Sequence, residues 1–377
     1  MNLQPGLILP RIKGILFETI GLIFLLYITG LRYAYQGAAD LGLLVAVSLA
    51  AGWLILSHVQ SNPIELPQHS WGYLPLILSG ILATIYSISI PTSIVELKIW
   101  AVNLFLVIVI YNIKDKRGLL FCLLAAGSAY TLLKFPAAAR SLGQSRLTNP
   151  NNTAAFLNVL TAGGMAVILN TQRKSPANYL GLISWGLASL LLLFTGSRAA
   201  IIAGLFGDLV ACSWKGRGTR WPKIIGLTRA CQLAAVLLLR SPANQIKPVT
   251  SRLVIWNRAL EIFKQYPITG SGLNTFRIMN QTRAALDPVM YIHPHNLYLG
   301  ILCQLGIVGL IGIGIALICT TSEILLCQDS LIKMAAMGAL AALLIHGLVD
   351  VPYFEPYNMR AVLIPMALAL PSYQNDD

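Results

Sequence analysis

The stretch Leu297-Tyr298-Leu299-Gly300-Ile301-Leu302-Cys303-Gln304-Leu305-Gly306-Ile307-Val308-Gly309-Leu310-Ile311-Gly312-Ile313-Gly314-Ile315-Ala316 contains no charged side chain. At about 1.5 Å per residue it rises about 30 Å, enough to cross the hydrocarbon core of a bilayer as one helix. Immediately before it stands His293-Pro294-His295-Asn296, so two imidazoles sit at the mouth of an apolar helix, at a bilayer edge. Histidine exchanges a proton near neutral pH, which makes this pair readable either as a general base or as a solvated helix cap.

The rest of the chain agrees with that helix. Of 377 residues 56% are hydrophobic and 11% charged, and apolar runs alternate with short polar connections, the pattern of a polytopic membrane protein. We read an all-α chain of about twelve membrane spans, near 14–31, 41–59, 73–90, 97–113, 118–135, 153–170, 179–195, 199–214, 223–239, 295–319, 331–349 and 358–371. No soluble domain of ordinary size is left over, so residues 1–377 read as one membrane domain. The first run follows Arg11 and Lys13 without a small-residue cleavage site and reads as a retained helix. Lys114-Asp115-Lys116-Arg117, Arg173-Lys174 and Lys215 to Arg220 fall on one side of this count, with Arg11 and Lys13. By the positive-inside tendency that side is cytoplasmic, and both termini lie there. The six cysteines lie in or beside apolar spans without metal-ligand spacing, so neither a disulfide nor a metal is expected.

On the other side cations outnumber acids, and this needs a reason. The connection 241–294, between the ninth and tenth helices, is the one extended external loop. Within it Ser251 to Phe263 has helical apolar spacing at Trp256, Ala259, Leu260 and Phe263, with Ser251 as a cap. It reads as an amphipathic helix over the membrane domain, stopped by Pro267 and by Gly270-Ser271-Gly272. Arg252 lies one turn before Trp256, whereas Arg258 points about 240° away from Arg252, so the two cannot easily share a ligand. Thr195-Gly196-Ser197-Arg198 puts an arginine at a helix start, where backbone N–H groups also favour an anion. Earlier, Arg146-Leu147-Thr148-Asn149-Pro150-Asn151-Asn152 precedes the sixth span; its asparagines read first as a helix cap through Asn152 and otherwise as ligands of sugar hydroxyls. Cations snorkelling to lipid phosphates and arginines gripping a phosphate or diphosphate both account for the basic outer face. His346 and Asp350 are four apart near the end of the eleventh span and can orient each other, His295, or simply the helix end. Asp208, inside the eighth span, is expected to pair with a neighbouring helix.

Taken in order, Asn149-Pro150-Asn151, Thr195-Gly196-Ser197-Arg198, Arg252 with Trp256, Pro267 with Gly270 and Gly272, and His295-Asn296-x-Tyr298-Leu299 leading to Gly306-x-x-Gly309 resemble the O-antigen ligase and polymerase superfamily. The likeness runs from about residue 140 to 350. The forms His293 to Leu299 and His346 to Tyr353 are similar to those of small bacterial members, cyanobacterial ones included. Gln304 departs from the family, which often has an acidic residue there, and the outer loop is short for a ligase.

The resemblance implies a metal-independent, cofactor-free, inverting glycosyl transfer on the periplasmic face of the bacterial inner membrane. The donor would be a glycan on undecaprenyl diphosphate; the acceptor would be the lipid A core, another glycan or a protein, and no nucleic acid is involved. In that scheme His295 is the base, assisted by His293. Arg198 and Arg252, helped by Arg258 and Arg146, hold the diphosphate, and Asn296, Asn151 and Asp350 support them. A polymerase of the same superfamily is the nearer alternative. A bicarbonate or other small-anion transporter is the more distant one, since a basic outer surface attracts such anions. Against transport, there are no evident repeated halves and no paired broken helices.

Overall fold

The computed structural model describes residues 39–59, 64–67, 70–140, 150–214, 220–239, 242–281, 293–351 and 356–371. In chain order the helices are α1 Ala39–Val59, α2 Leu74–Ile85, α3 Ile90–Tyr111, α4 Lys116–Arg140, α5 Pro150–Asn170, α6 Pro176–Thr195, α7 Arg198–Ser213, α8 Trp221–Leu239, α9 Pro242–Gln265, α10 Phe276–Gln281, α11 Leu297–Leu326, α12 Ser330–Gly347 and α13 Pro356–Leu368, with a 3-10 turn Ser70–Tyr73 before α2. No strand occurs among the described residues. Among the described residues six helices are long and apolar enough to cross a membrane: α3, the Lys116–Pro136 part of α4, α5, α6, α11 and α12. Shorter apolar helices lie at Ser48–Val59, Ser70–Ile85 and Met359–Leu368. The expected span at 14–31 lies outside the described residues.

Small side chains decide which helices meet. α5 is buried along nearly its whole length, and Ala154, Ala155, Ala162, Gly163, Gly164 and Ala166 leave room for α6, α12, α7 and α4 to close around it. α7 and α12 run antiparallel at van der Waals contact: a Cβ on Gly207 would lie 2.8 Å from the Gly338 carbonyl oxygen. Without tight packing of this kind, lipid tails would compete equally well for the helix surfaces.

One ionic contact lies deep in this bundle. Arg229 on α8 meets Asp208 on α7 at 2.7 Å, and both side chains are 0% exposed. The Trp185 indole donates to the same carboxylate at 3.1 Å, Arg229 donates to Gln232 at 3.1 Å, and Gln232 donates to the Ser189 carbonyl at 2.6 Å. α6, α7 and α8 are thereby tied at one point. Asp208 has the partner on a neighbouring helix that its place in an apolar run demands.

The structure corrects the sequence reading where backbone chemistry overrides hydropathy. α11 is not one uninterrupted helix. Gly306 has φ 65° and ψ −163° and breaks its hydrogen-bond ladder, and the segment 267–274 fills the gap. Ile307 and Val308 N–H donate to Pro267 and Ile268 at 2.9 and 3.2 Å, and Ser271 and Gly272 N–H donate to Cys303 and Gln304 at 2.9 and 3.1 Å. Part of the expected external loop is therefore woven into α11. The α2–α3 turn joins the same knot, with Ile88 N–H donating to Ser271 at 3.0 Å and Ser93 Oγ donating to Leu273 at 3.1 Å. Ser251 is not a cap, because α9 begins at Pro242; its buried face is Ile255, Ala259 and Ile262, packed on Phe276 and Cys303. Asn152 is not a cap either, since α5 begins at Pro150.

Two substitutions in α11 separate the break from the rest of the helix. A Cβ on Gly306 would stand 2.2 Å from the Ile268 oxygen at a left-handed φ, whereas Gly314 has nothing within 4 Å. Gly306→Ala is expected to cost at least about 2 kcal/mol. Gly314→Ala should be neutral or stabilising by up to about 1 kcal/mol. Thermal unfolding in detergent compares the two. In the ionic knot, Arg229→Met alone is expected to cost about 3–5 kcal/mol by stranding Asp208, and the double change with Asp208→Leu to recover most of it; the same assay reads this.

Candidate functional site

α12 ends at Gly347, and the chain turns with the Val349 and Asp350 N–H groups on the His346 carbonyl at 3.2 and 3.1 Å. This turn carries the Asp350 carboxylate into the interior, where it is 4% exposed and accepts from four directions. His295 Nδ1 lies 2.9 Å from Oδ1, and the Val351 N–H donates to the same oxygen at 2.8 Å. Arg252 NH2 donates to Oδ2 at 3.3 Å, and the Asn151 amide also donates there. Residues from α5, α9, the approach to α11 and the end of α12 thus meet on one side chain.

The charge state of the carboxylate follows from these neighbours. Burial pushes the Asp350 carboxyl up. The His295 hydrogen bond, the charges of His295 and His346 and the Val351 amide outweigh it and hold the group at about 2. An ionised carboxylate only accepts hydrogen bonds, so His295 donates to it from Nδ1, which fixes the orientation of the ring.

His295 also has an unusual backbone. Its φ is 47°, in the left-handed region, which costs a residue with a Cβ about 1–3 kcal/mol and persists only where the surroundings enforce it. Here they do. The Trp256 indole N–H donates to the His295 carbonyl at 3.2 Å. The following residue is pinned twice: Asn296 Oδ1 caps α11 by accepting from Leu299 N–H at 2.9 Å, and its amide donates to the Leu348 carbonyl at 2.7 Å.

The other expected residues are distributed as follows. Arg198 opens α7 behind the left-handed Gly196 turn, with Ser197 capping by accepting from Ala200 N–H at 3.3 Å. Because α7 and α12 are antiparallel, Arg198 starts at the same end of the bundle where Asp350 lies. Arg258 turns to Glu261, 3.9 Å away, while Arg252 turns to Asp350. His293 is half-buried two residues before His295. Arg146 lies outside the described residues. The Trp256 bond to the His295 main chain was not anticipated from sequence; only the one-turn spacing of Arg252 and Trp256 hinted that both serve one point.

Below this cluster opens an apolar cavity of about 460 Å³ between α2, α3, α11, α12 and α13. Its wall includes Tyr298 and Leu297, within one turn of His295, and continues down α11 through Ile301 and Leu317 to Tyr73 and Thr320, whose hydroxyls bond at 2.8 Å. Tyr298 to Thr320 is roughly 30 Å of helix. Gln304 lies on this wall, and its side-chain oxygen accepts the Asn274 N–H at 2.6 Å. The geometry assembles an oriented imidazole, a buried carboxylate and a guanidinium beside the chain segment whose next residues, Leu297 and Tyr298, line the apolar cavity.

Asp350 gives the site a pH signature. A carboxyl held below its usual value of about 3.8 stabilises the fold fully above that pH and loses the contribution as the pH falls through about 2. The melting temperature of the protein should therefore exceed that of Asp350→Asn at pH 5, and the margin should shrink between pH 4 and pH 2. A pH series of melting curves on both proteins measures it.

No curated protein matches the chain. Residues 151–314 match the family model described as O-Antigen ligase. The matched region runs from α5 into α11 and holds Asn151, Arg198, Arg252, Arg258, His293, His295 and Asn296, whereas Asp350 follows it in the chain. The match supports membership of this chain in the O-antigen ligase superfamily, whose members are multi-pass membrane glycosyltransferase-like enzymes acting on lipid-linked glycans.

Proposed function

We propose that this protein is an O-antigen ligase-type glycosyltransferase of the bacterial inner membrane, moving a glycan from undecaprenyl diphosphate to a hydroxyl of a lipid A core or similar acceptor on the periplasmic face. The observation that carries this reading is the His295–Asp350 pair, with Arg252 and Asn151 on the same carboxylate, next in the chain to Leu297 and Tyr298 on the wall of an apolar cavity that continues down α11. A lipid-linked sugar needs both: a polar place for the reacting bonds and a long apolar one for the carrier. In this reading about twelve spans cross the membrane, both termini are cytoplasmic, and α9 and α10 belong to a periplasmic loop.

The chemistry then balances on this chain's own residues. The acceptor hydroxyl oxygen attacks the anomeric carbon from the face opposite the diphosphate, inverting it. Nε2 of His295 takes the hydroxyl proton as the new carbon–oxygen bond forms. The bond from the anomeric carbon to the diphosphate oxygen breaks, and its electron pair leaves with the lipid diphosphate. Asp350 stabilises the imidazolium that results, as the buried carboxylate of a hydrolase triad does for its histidine. Arg198 and Arg252 offset the negative charge growing on the leaving group, so the step needs no metal. His293 assists at the acceptor, Asn296 and Asn151 hold the frame, and Arg146 and Arg258 are secondary helpers; the Arg258–Glu261 contact supports the lesser weight given to Arg258. Gln304 does not weaken the reading. Its oxygen serves as an acceptor for Asn274, a role in which a carboxylate would serve equally.

The test is release of undecaprenyl diphosphate from a lipid-linked oligosaccharide by the purified protein in liposomes, with host lipid extract as acceptor. Release is expected only with acceptor present. His295→Ala should slow it by about 10²–10⁴-fold, and Arg198→Ala should also fail to transfer while inserting normally. The mass of the product separates ligase from polymerase. Full activity of the His295→Ala protein would remove that residue from the mechanism, and absence of release together with bicarbonate uptake into the same liposomes would favour the transporter.

A further inference from the structure

Arg252 and Trp256 lie one turn apart on α9 and both reach the His295–Asp350 pair, by different routes. Arg252 bonds the carboxylate at 3.3 Å, and Trp256 bonds the histidine main chain at 3.2 Å. The second contact is the odd one, since a main-chain carbonyl carries no chemistry of its own in this reaction. Its value lies in what it does to the residue that owns the carbonyl. His295 holds a left-handed φ of 47° between Pro294 and the pinned Asn296, and a residue with a Cβ leaves that region readily unless its carbonyl or amide is held.

We propose that Trp256 is a positioning residue for the reaction: its indole N–H, donated to the His295 carbonyl, holds that histidine in the left-handed backbone conformation from which Nδ1 meets Asp350. The inference rests on the reading of His295 as the base. The physical balance is close enough to matter. A neutral hydrogen bond has a net worth comparable with the strain of one left-handed residue, so losing the bond shifts the populations instead of abolishing the conformation. The base is then aligned in a smaller fraction of molecules, which lowers turnover while leaving substrate binding alone. Trp256 shares α9 with the buried Ile255 and Ala259, so a helix anchored in the protein is bonded to the histidine main chain.

The experiment must separate the N–H from the ring. Trp256→Phe removes the donor and part of the ring. Replacement of Trp256 by benzothienylalanine, through amber suppression, keeps the bicyclic shape and removes only the donor. Each protein is assayed for lipid-linked glycan transfer and, after selective ¹³C-histidine labelling, for the Cα and carbonyl shifts of His295, assigned with His295→Ala. The expected result is kcat about three- to tenfold lower in both variants, KM unchanged, and a His295 shift moving from the left-handed toward the extended range. Wild-type kcat and an unmoved shift in the benzothienylalanine protein would overturn the proposal and leave Trp256 a packing residue. A moved shift with unchanged kcat, alongside an active His295→Ala protein, would keep the clamp and sink the assignment of His295 as base instead.

Discussion

A single carboxylate organises the functional end of this molecule. Asp350 is buried, charged and shared by donors from four separate segments, and each donor is useful only because the others bring the charge within reach. Burying an ion without such partners is prohibitive. The cluster is therefore self-enforcing: α5, α9, the approach to α11 and the exit of α12 are held at one point because none of the four can withdraw without stranding a charge or a polar group. The orientation of the imidazole follows from the same bond, since a carboxylate can only accept. What resembles a set of supporting polar contacts is the frame within which His295 has one orientation and one place.

Much of this was legible in sequence, for reasons that differ from residue to residue. The charge-free run from Leu297 and its companions announced the helices, because lipid imposes a simple compositional demand. His295, Arg198, Arg252 and Asn151 were recognisable because they stand in ordered short motifs beside apolar runs. What sequence did not give was anything that depends on backbone pairing between distant segments. Hydropathy sees Gly306 as one more apolar position; only the carbonyls of Pro267 and Ile268 make it a break. Gln304 looked like a departure from a family pattern, and in the fold it is an acceptor for a backbone amide thirty residues away. Likewise the three-residue difference in where α5 starts, Pro150 against 153, changes Asn151 from a neighbour of a cap into a hydrogen-bond donor to Asp350.

The interrupted α11 and the cavity belong together. A continuous helix would present an unbroken apolar ridge to α2 and α3. The break admits the 267–274 segment, whose polar knot with Ser87, Ser93 and Gln304 is buried at Ser93 and Gln304, half-buried at Ser87, and bonded within the protein. Irregular backbone at such depth is tolerated only where protein surrounds it. In consequence the same segment that descends from α9 also forms part of the cavity wall through Leu273, so the surface helix and the interior slot are built from one continuous piece of chain.

The buried Asp208–Arg229 contact bears on how the molecule is made. An arginine at the centre of a lone helix costs about 2.5–3.5 kcal/mol to place in lipid, and α8 is not among the helices apolar enough to cross unaided. α7 carries the opposite charge a short connection earlier. The arginine of α8 is matched only inside the bundle, by the carboxylate of α7, with Trp185 and Ser189 of α6 completing the polar contacts. Each of the two helices therefore needs the other's charge to stay in an apolar interior.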